Sequence, residues 1–245
     1  MQLDFIIDQM YLIAHTLSNM GPQAFSSSDM RADIVAFQDY AWSASSEYYN
    51  LFARPVSLEE MIVTSGSMHA YWQDFNWSGF DEFIATLTSS KEYKKVHEQT
   101  QGYLTFCKNQ WEDNYQATAA VIHDLTGLRL HDTFTVYVTH PSQRNGKYYG
   151  DHRIGWGHHE DWPNYATVYL WHEVLHSYLG AGDLEHAVIQ LVADEELRVR
   201  LNGGSYPPFM GHEYLKPLLE RILPSWEKYL RQEQRDIRQF ILDVK

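Results

Sequence analysis

Two histidines and one glutamate share a short stretch of this chain, YLWHEVLHSYLG at residues 169–180. On an α-helix, His172 and His176 lie one turn apart and point the same way, so both imidazoles can bind one metal ion. Glu173 is rotated by about 100° from His172 and can instead reach a water molecule beside the metal. This H-E-x-x-H spacing predicts a Zn²⁺ site with Glu173 as a general base. The alternative is a pair of hydrogen-bonded core histidines.

A catalytic zinc site needs a third protein ligand and one open position. The next segment, residues 183–202, reads DLEHAVIQLVADEELRVRLN. Helical periodicity places Glu195 on one stripe with the apolar side chains Leu184, Val188, Leu191, Val192 and Val199. A buried carboxylate on an apolar stripe needs a cation. Glu195 is therefore the predicted third ligand, with His186 and Glu196 as alternatives. A tight hairpin between the two helices would favour His186.

The motif and the following glutamate resemble the gluzincin branch of the zincin metallopeptidases. The pattern is His172-Glu173-x-x-His176, eighteen residues, and then Glu195, and the resemblance covers about residues 133–201. It implies a zincin-like fold, a Zn²⁺ ion held by His172, His176 and Glu195, and Glu173 as the catalytic base.

The residue before the predicted third ligand departs from that family. Gluzincins have an asparagine there, and this chain has Asp194. Asp194 and Arg198 are one helical turn apart, so we predict an exposed ion pair that stabilises the protein little.

Five further polar residues are candidates for the cleft. His158, His159 and Glu160 follow a predicted strand whose edge would line the cleft and pair with an extended peptide. Tyr206 and His212 flank a loop after the ligand helix, and either could donate a hydrogen bond to an oxyanion. A structural loop tyrosine and a helix-capping histidine are the alternatives for that last pair.

The first half of the chain is predicted to be helical. Apolar spacing indicates helices near residues 5–17 and 29–51, and SGFDEFIATL at residues 78–87 is typical of a short capped helix. The clearest helix is residues 90–126, which Gly127 should end. Cys107 lies on its apolar stripe and is expected to pack in the core.

The second half mixes strands and helices. Alternation predicts a strand at residues 132–140, a turn-rich loop at 141–151 and a shorter strand at 152–159. Asp161 and Pro163 indicate the start of the motif helix, which should stop at Gly180. Helices are also expected at 183–201 and in the tail from Gly211, interrupted at Pro217 and Pro224.

These patterns predict an α+β, mostly helical fold in one compact domain, 1–245. Residues 1–127 would form an N-terminal helical part. Residues 128–245 would form a zincin-like metal-binding part, with a small antiparallel sheet beside the active-site helix.

Composition limits the partners. Hydrophobic residues make up 44% of the 245, which is enough for a full core. The formal net charge of −13 excludes non-specific nucleic-acid binding, which needs a basic face. A single cysteine permits no internal disulfide and favours a reducing compartment. The first seventeen residues are a poor signal peptide, and no apolar stretch is long enough for a membrane span. We expect a soluble, cytoplasmic protein.

The expected function is hydrolysis of a peptide or protein substrate by a zinc-activated water and Glu173. One alternative is a zincin-like domain that binds metal or partner proteins without turnover. Another is hydrolysis of a non-peptide amide, which the same site would serve.

Overall fold

The computed structural model describes residues 1–18, 30–52, 62–63, 77–203 and 212–245. Its regular elements follow one another in the order β1 (Gln2–Ile6), α1 (Gln9–Ser18), α2 (Arg31–Ala44), α3 (Ser46–Phe52), α4 (Phe80–Ser89), α5 (Lys91–Thr126), β2 (Thr133–Val138), β3 (Asn145–Tyr148), β4 (Arg153–Gly157), α6 (Tyr165–Leu179), α7 (Asp183–Ile189), the π-helix π1 (Gln190–Leu197), α8 (Arg198–Asn202), a 3-10 turn (Glu213–Leu215), α9 (Lys216–Tyr229) and α10 (Ile237–Val244). This mostly helical chain with one small sheet confirms the α+β prediction.

The sheet is mixed rather than antiparallel as predicted. Its strand order is β1-β2-β4-β3. β1 pairs parallel with β2, and β2 pairs parallel with β4, while β3 alone runs antiparallel, along β4. The antiparallel expectation is wrong because two of the three pairings are parallel and need crossover connections. Helices α1–α5 make the crossover from β1 to β2, and the segment that contains β3 makes the one from β2 to β4.

Two strands occupy segments with other predicted structures. β1 overlaps the start of the predicted first helix at Phe5 and Ile6, and only from Gln9 is that segment helical. Its short apolar run fits either period, and pairing with β2 decides for a strand. β3 lies within the predicted loop, where Asn145 and Gly146 enter the sheet opposite Gly157 and Trp156.

The long helix α5 agrees with its prediction at both ends. The Ser90 side chain caps it by accepting a hydrogen bond from the Tyr93 backbone N–H. Gly127 ends it with a φ of 70°, a left-handed conformation that favours glycine. Cys107 is fully buried on its inner face, as expected.

Two hydrophobic clusters share α5. The N-terminal cluster joins α1–α4 with the start of α5, and its members include Leu12, Phe37, Phe52, Phe83 and Val96. The sheet cluster joins the rest of α5 with the sheet and the C-terminal helices, and its members include Trp111, Val136, Trp156, Trp171 and Ile241. The second cluster supports the motif helix.

The helices after the sheet follow their predictions with shifts at the starts. The motif helix α6 starts at Tyr165, later than the Asp161 and Pro163 signals indicate. The residue immediately before this helix, Asn164, has a left-handed backbone conformation with a φ of 61°. It stops at Gly180 as predicted. In the tail, Pro217 lies in the first turn of α9. The predicted interruption at Pro224 is wrong, because α9 continues through that residue. No helix among the described residues is long and apolar enough to cross a membrane.

Candidate metal centre

The motif helix α6 is held between the sheet and α5. Trp171 Nε1 donates a hydrogen bond of 2.8 Å to Thr118 Oγ1 of α5. Near the start of α6, the Thr167 hydroxyl donates to the Gln110 carbonyl at 3.0 Å. These buried side chains anchor one face of α6 to α5. The helix thus presents His172 and Glu173, both buried, and the half-buried His176 on its other side.

Three imidazoles converge at one point. His172 and His176 come from α6, and His186 comes from α7 across the hairpin. A ligand nitrogen from each lies within 4.8 Å of the other two. The Nε2 atoms of His172 and His186 are 3.1 Å apart. Tetrahedral zinc with Zn–N bonds of about 2.0–2.1 Å separates its ligand nitrogens by about 3.3 Å, so the spacing of the His172–His186 pair fits such an ion.

Hydrogen bonds to the other ring nitrogens set the tautomers. His172 Nδ1 donates to the two carboxylate oxygens of Asp194 at 3.1 and 3.0 Å. His176 Nδ1 donates to the Gly180 carbonyl at 3.0 Å. Because a carbonyl or carboxylate can only accept, each neutral ring carries its proton on Nδ1 and a free lone pair on Nε2. Such partners are characteristic of metal-binding histidines.

The charge states of the three rings differ. Burial lowers the pKa of His176 to about 4, with a further contribution from His172. Burial also lowers the pKa of His186 to about 3. For His172, burial lowers the pKa, but the Asp194 carboxylate opposes it and the net pKa is raised. Two of the rings are therefore neutral near pH 7, which is the form that binds a metal.

Glu173 lies beside the histidines but is not one of the converging group. Burial raises the pKa of its carboxyl to about 7, although His172 and a backbone hydrogen bond from Tyr148 lower it. Strand β3 passes directly against it, and a Cβ on Gly146 would be 3.4 Å from Glu173 Oε1. The carboxyl group therefore lies between the histidines and the end strand of the sheet.

The third position of the histidine group differs from the prediction. The structure does not bring Glu195 to His172 and His176. Glu195 instead lines a separate cavity with Leu219 and Trp226 of the C-terminal helices. His186, the alternative, occupies the third position.

The physical reason is the arrangement of two helices in a hairpin. The turn at Gly180 brings the start of α7 level with the motif, so His186 meets the histidines first. His186 and Glu195 are nine residues apart, which puts them on opposite faces of a helix at 100° per residue. The other alternative, Glu196, forms an ion pair of 3.3 Å with Arg200.

The predicted Asp194–Arg198 surface pair is not present. Both side chains are buried, at 3% and 7% exposure. Asp194 binds His172, and the Arg198 guanidinium lies 4.8 Å from the Trp162 ring centre. The wider turns of π1 rotate less per residue than an α-helix, which brings Asp194 closer to the His186 face. The spacing of His186, Gln190 and Asp194, four and four, was the available sequence signal.

Other predicted residues are divided between the site and its surroundings. The ring of His212 lies 4.8 Å from that of His186, and His212 lines a cavity together with His172. His158 Nε2 lies 2.6 Å from Glu160 Oε1 on the cavity wall. His159 packs near Tyr165 instead, with ring centres 5.6 Å apart. Tyr206 lies outside the described residues.

His172 and Glu173 open into a cavity of about 540 Å³, and together with His176 and His186 they also line a smaller neighbouring cavity. The wall of the larger cavity includes Gln190 of π1, whose buried side-chain oxygen has no hydrogen-bond partner in the part of the chain that the structure describes. A cavity of this size can hold a drug-sized ligand or a short segment of extended peptide. In comparisons with protein-family models, curated proteins and solved structures, nothing matches this chain.

Proposed function

We propose that this chain is a zinc-dependent hydrolase with a zincin-like centre and that its substrate is a peptide or protein. The ligands in this proposal are His172, His176 and His186, with His186 replacing Glu195 of the sequence-based assignment. Glu173 is the general base. One observation carries the proposal: nitrogens of three histidines converge beside a buried carboxyl group, and His172 and Glu173 line an open cavity.

The protein groups around the site have distinct roles in this mechanism. A zinc ion held by His172, His176 and His186 would supply a Lewis acid that acidifies water and polarises a carbonyl. Glu173 accepts the proton of the attacking water and later delivers it to the leaving amine. Asp194 and the Gly180 carbonyl hold His172 and His176 in the orientation that ligation requires.

The strand beside Glu173 supports a peptide substrate. β3 is the end strand of the sheet, and an extended peptide can add to such a strand through backbone hydrogen bonds. Gly146 on this strand lies against Glu173, so a peptide paired along β3 would bring a backbone carbonyl close to the base. His212, exposed next to His186, would donate a hydrogen bond to the oxyanion in this mechanism. The proposal keeps Tyr206 as a second candidate donor.

The experiment is peptide-library cleavage by zinc-loaded protein, with Glu173→Gln as the test variant. We expect the variant to keep about one zinc per chain and to lose about 100- to 10,000-fold in rate, because only the proton transfer is removed. Glu195→Gln is the matched control, since Glu195 lines another cavity, and it should cleave normally.

Two outcomes would refute the mechanism. Equal cleavage by wild type and Glu173→Gln would mean that a contaminating protease is responsible. Retention of zinc without cleavage of any peptide in the library would favour the alternative, a metal-binding domain without turnover.

A further inference from the structure

Arg144 is a feature of the cavity that the proposed reaction does not use. Its exposed side chain lines the same cavity as Glu173 and Asp194, and it is the only lysine or arginine among the described lining residues. Across the described parts of the chain, it forms no hydrogen bond or ion pair. A guanidinium without a protein partner on a cavity wall is suited to bind an anion.

The acidic groups nearby are already engaged. Glu160 Oε1 contacts His158 Nε2 at 2.6 Å, and Asp194 accepts from His172. The positive charge of Arg144 also acts on His158 in this wall. Burial is the main cause that lowers the pKa of His158, and repulsion by Arg144 lowers it further. The chain has a formal net charge of −13, so an anionic ligand is repelled by most of the surface. Arg144 supplies a local attraction at the site.

Arg144 is close in sequence to Gly146, the residue of β3 that lies against Glu173. Arg144 immediately precedes β3 and lies two residues before Gly146, which is packed against Glu173. Two residues of extended chain span about 6 to 7 Å. A group held by Arg144 therefore lies one or two residues away from the carbonyl at Glu173 in a peptide that follows β3.

We propose that Arg144 binds a carboxylate of the substrate, which is either a free C-terminus or an Asp or Glu side chain near the cleaved bond. A guanidinium and a carboxylate form two parallel hydrogen bonds, which fix both position and orientation. The assignment of this carboxylate to a substrate rests on the proposed hydrolase function. The preference of the cavity for a carboxylate rests on Arg144 itself.

The test measures peptide binding to zinc-loaded Glu173→Gln protein by fluorescence anisotropy. The probes are a labelled hexaalanine amide, the same peptide with a free C-terminus, and amides with one alanine replaced by glutamate. We expect at least one carboxylate peptide to bind about 10- to 100-fold tighter than the alanine amide. Arg144→Gln should remove that preference without weakening the binding of the hexaalanine amide. The peptide that gains affinity identifies the source of the carboxylate.

Arg129→Gln is the matched control, because Arg129 is exposed and lines a different cavity. It should keep the preference. Equal binding of all the peptides, no detectable binding, or an equal loss for every peptide in Arg144→Gln would overturn the proposal. Cleavage by wild type without any charge preference would refute the Arg144 assignment alone. A carboxylate preference without any cleavage would refute the hydrolase and leave the Arg144 site standing.

Discussion

The two hydrophobic clusters of this protein are both built from aliphatic and aromatic side chains, and they differ in the charged groups buried beside them. The N-terminal cluster contains aliphatic and aromatic residues such as Leu12 and Phe37. Every buried Asp, Glu, Lys or Arg among the described residues lies instead on α6 or on the helical segment after it, namely Glu173, Asp194, Glu196 and Arg198.

The location of the buried charged groups distinguishes a region that only packs from a region that could carry chemistry. Burying an ionisable group is unfavourable unless it is paired, so four such groups in one region need a compensating role. Perturbed carboxyl and imidazole groups in a cleft mark functional sites. This contrast supports our proposal that the helical hairpin is the functional region, with the N-terminal cluster packed against the shared helix α5.

The largest expected effect is on the third ligand. His186→Ala should weaken zinc binding by more than about 100-fold, beyond the loss typical of an outer-shell partner, because one of three ligands is removed. Competition with a chromophoric chelator measures the affinity. Glu195→Gln should leave it unchanged. The reverse result, with Glu195→Gln losing zinc and His186→Ala retaining it, would restore the assignment made from the sequence.

A core substitution in the N-terminal cluster should act on stability alone. Phe37 is fully buried against Tyr93, with ring centres 5.7 Å apart. Phe37→Ala should lower the free energy of unfolding by about 3–5 kcal/mol. Chemical denaturation measures the loss, and zinc affinity at low temperature should equal that of wild type. A parallel fall in zinc affinity would show that the two clusters are energetically coupled.

A buried histidine outside the metal centre should make stability depend on pH. Burial lowers the pKa of His140 to about 4, and its Nε2 lies 2.9 Å from Gln99 Oε1 on α5. The unfolded chain binds this proton near pH 6.5, so the unfolded state gains protons first as pH falls.

Stability should therefore be full above pH 6.5 and decline between pH 6.5 and 4, by on the order of 3 kcal/mol from this group. His140→Gln should reduce that decline. Urea denaturation of the metal-free proteins at several pH values tests it. An identical pH dependence for both proteins would assign the decline to other groups.

A smaller effect is expected at the group that orients His172. Asp194→Asn should weaken zinc binding about 10- to 100-fold while keeping the fold, because the amide no longer stabilises the Nδ1 proton as a carboxylate does. Glu196→Gln is the control, since Glu196 pairs with Arg200 on the same helical segment. Equal zinc affinities for Asp194→Asn and wild type would remove Asp194 from the site.

The sequence by itself determined the local features. The H-E-x-x-H spacing placed His172 and His176 on one helix face, because a helix turn has nearly four residues. Apolar spacing located α5 from about residue 90, and Gly127 marked its end through backbone freedom. Alternation in TFTVYV identified β2. Each of these signals depends on neighbours within a few positions along the chain.

Only the tertiary structure decided which distant residues meet. β1 is a strand because β2 lies beside it, and β3 joins the sheet although its segment is rich in turn residues. The third histidine depends on the hairpin at Gly180, and Asp194 reaches His172 through the wider turns of π1. A stripe analysis assumes one constant α-helical period, and that assumption failed where π1 changed the rotation per residue.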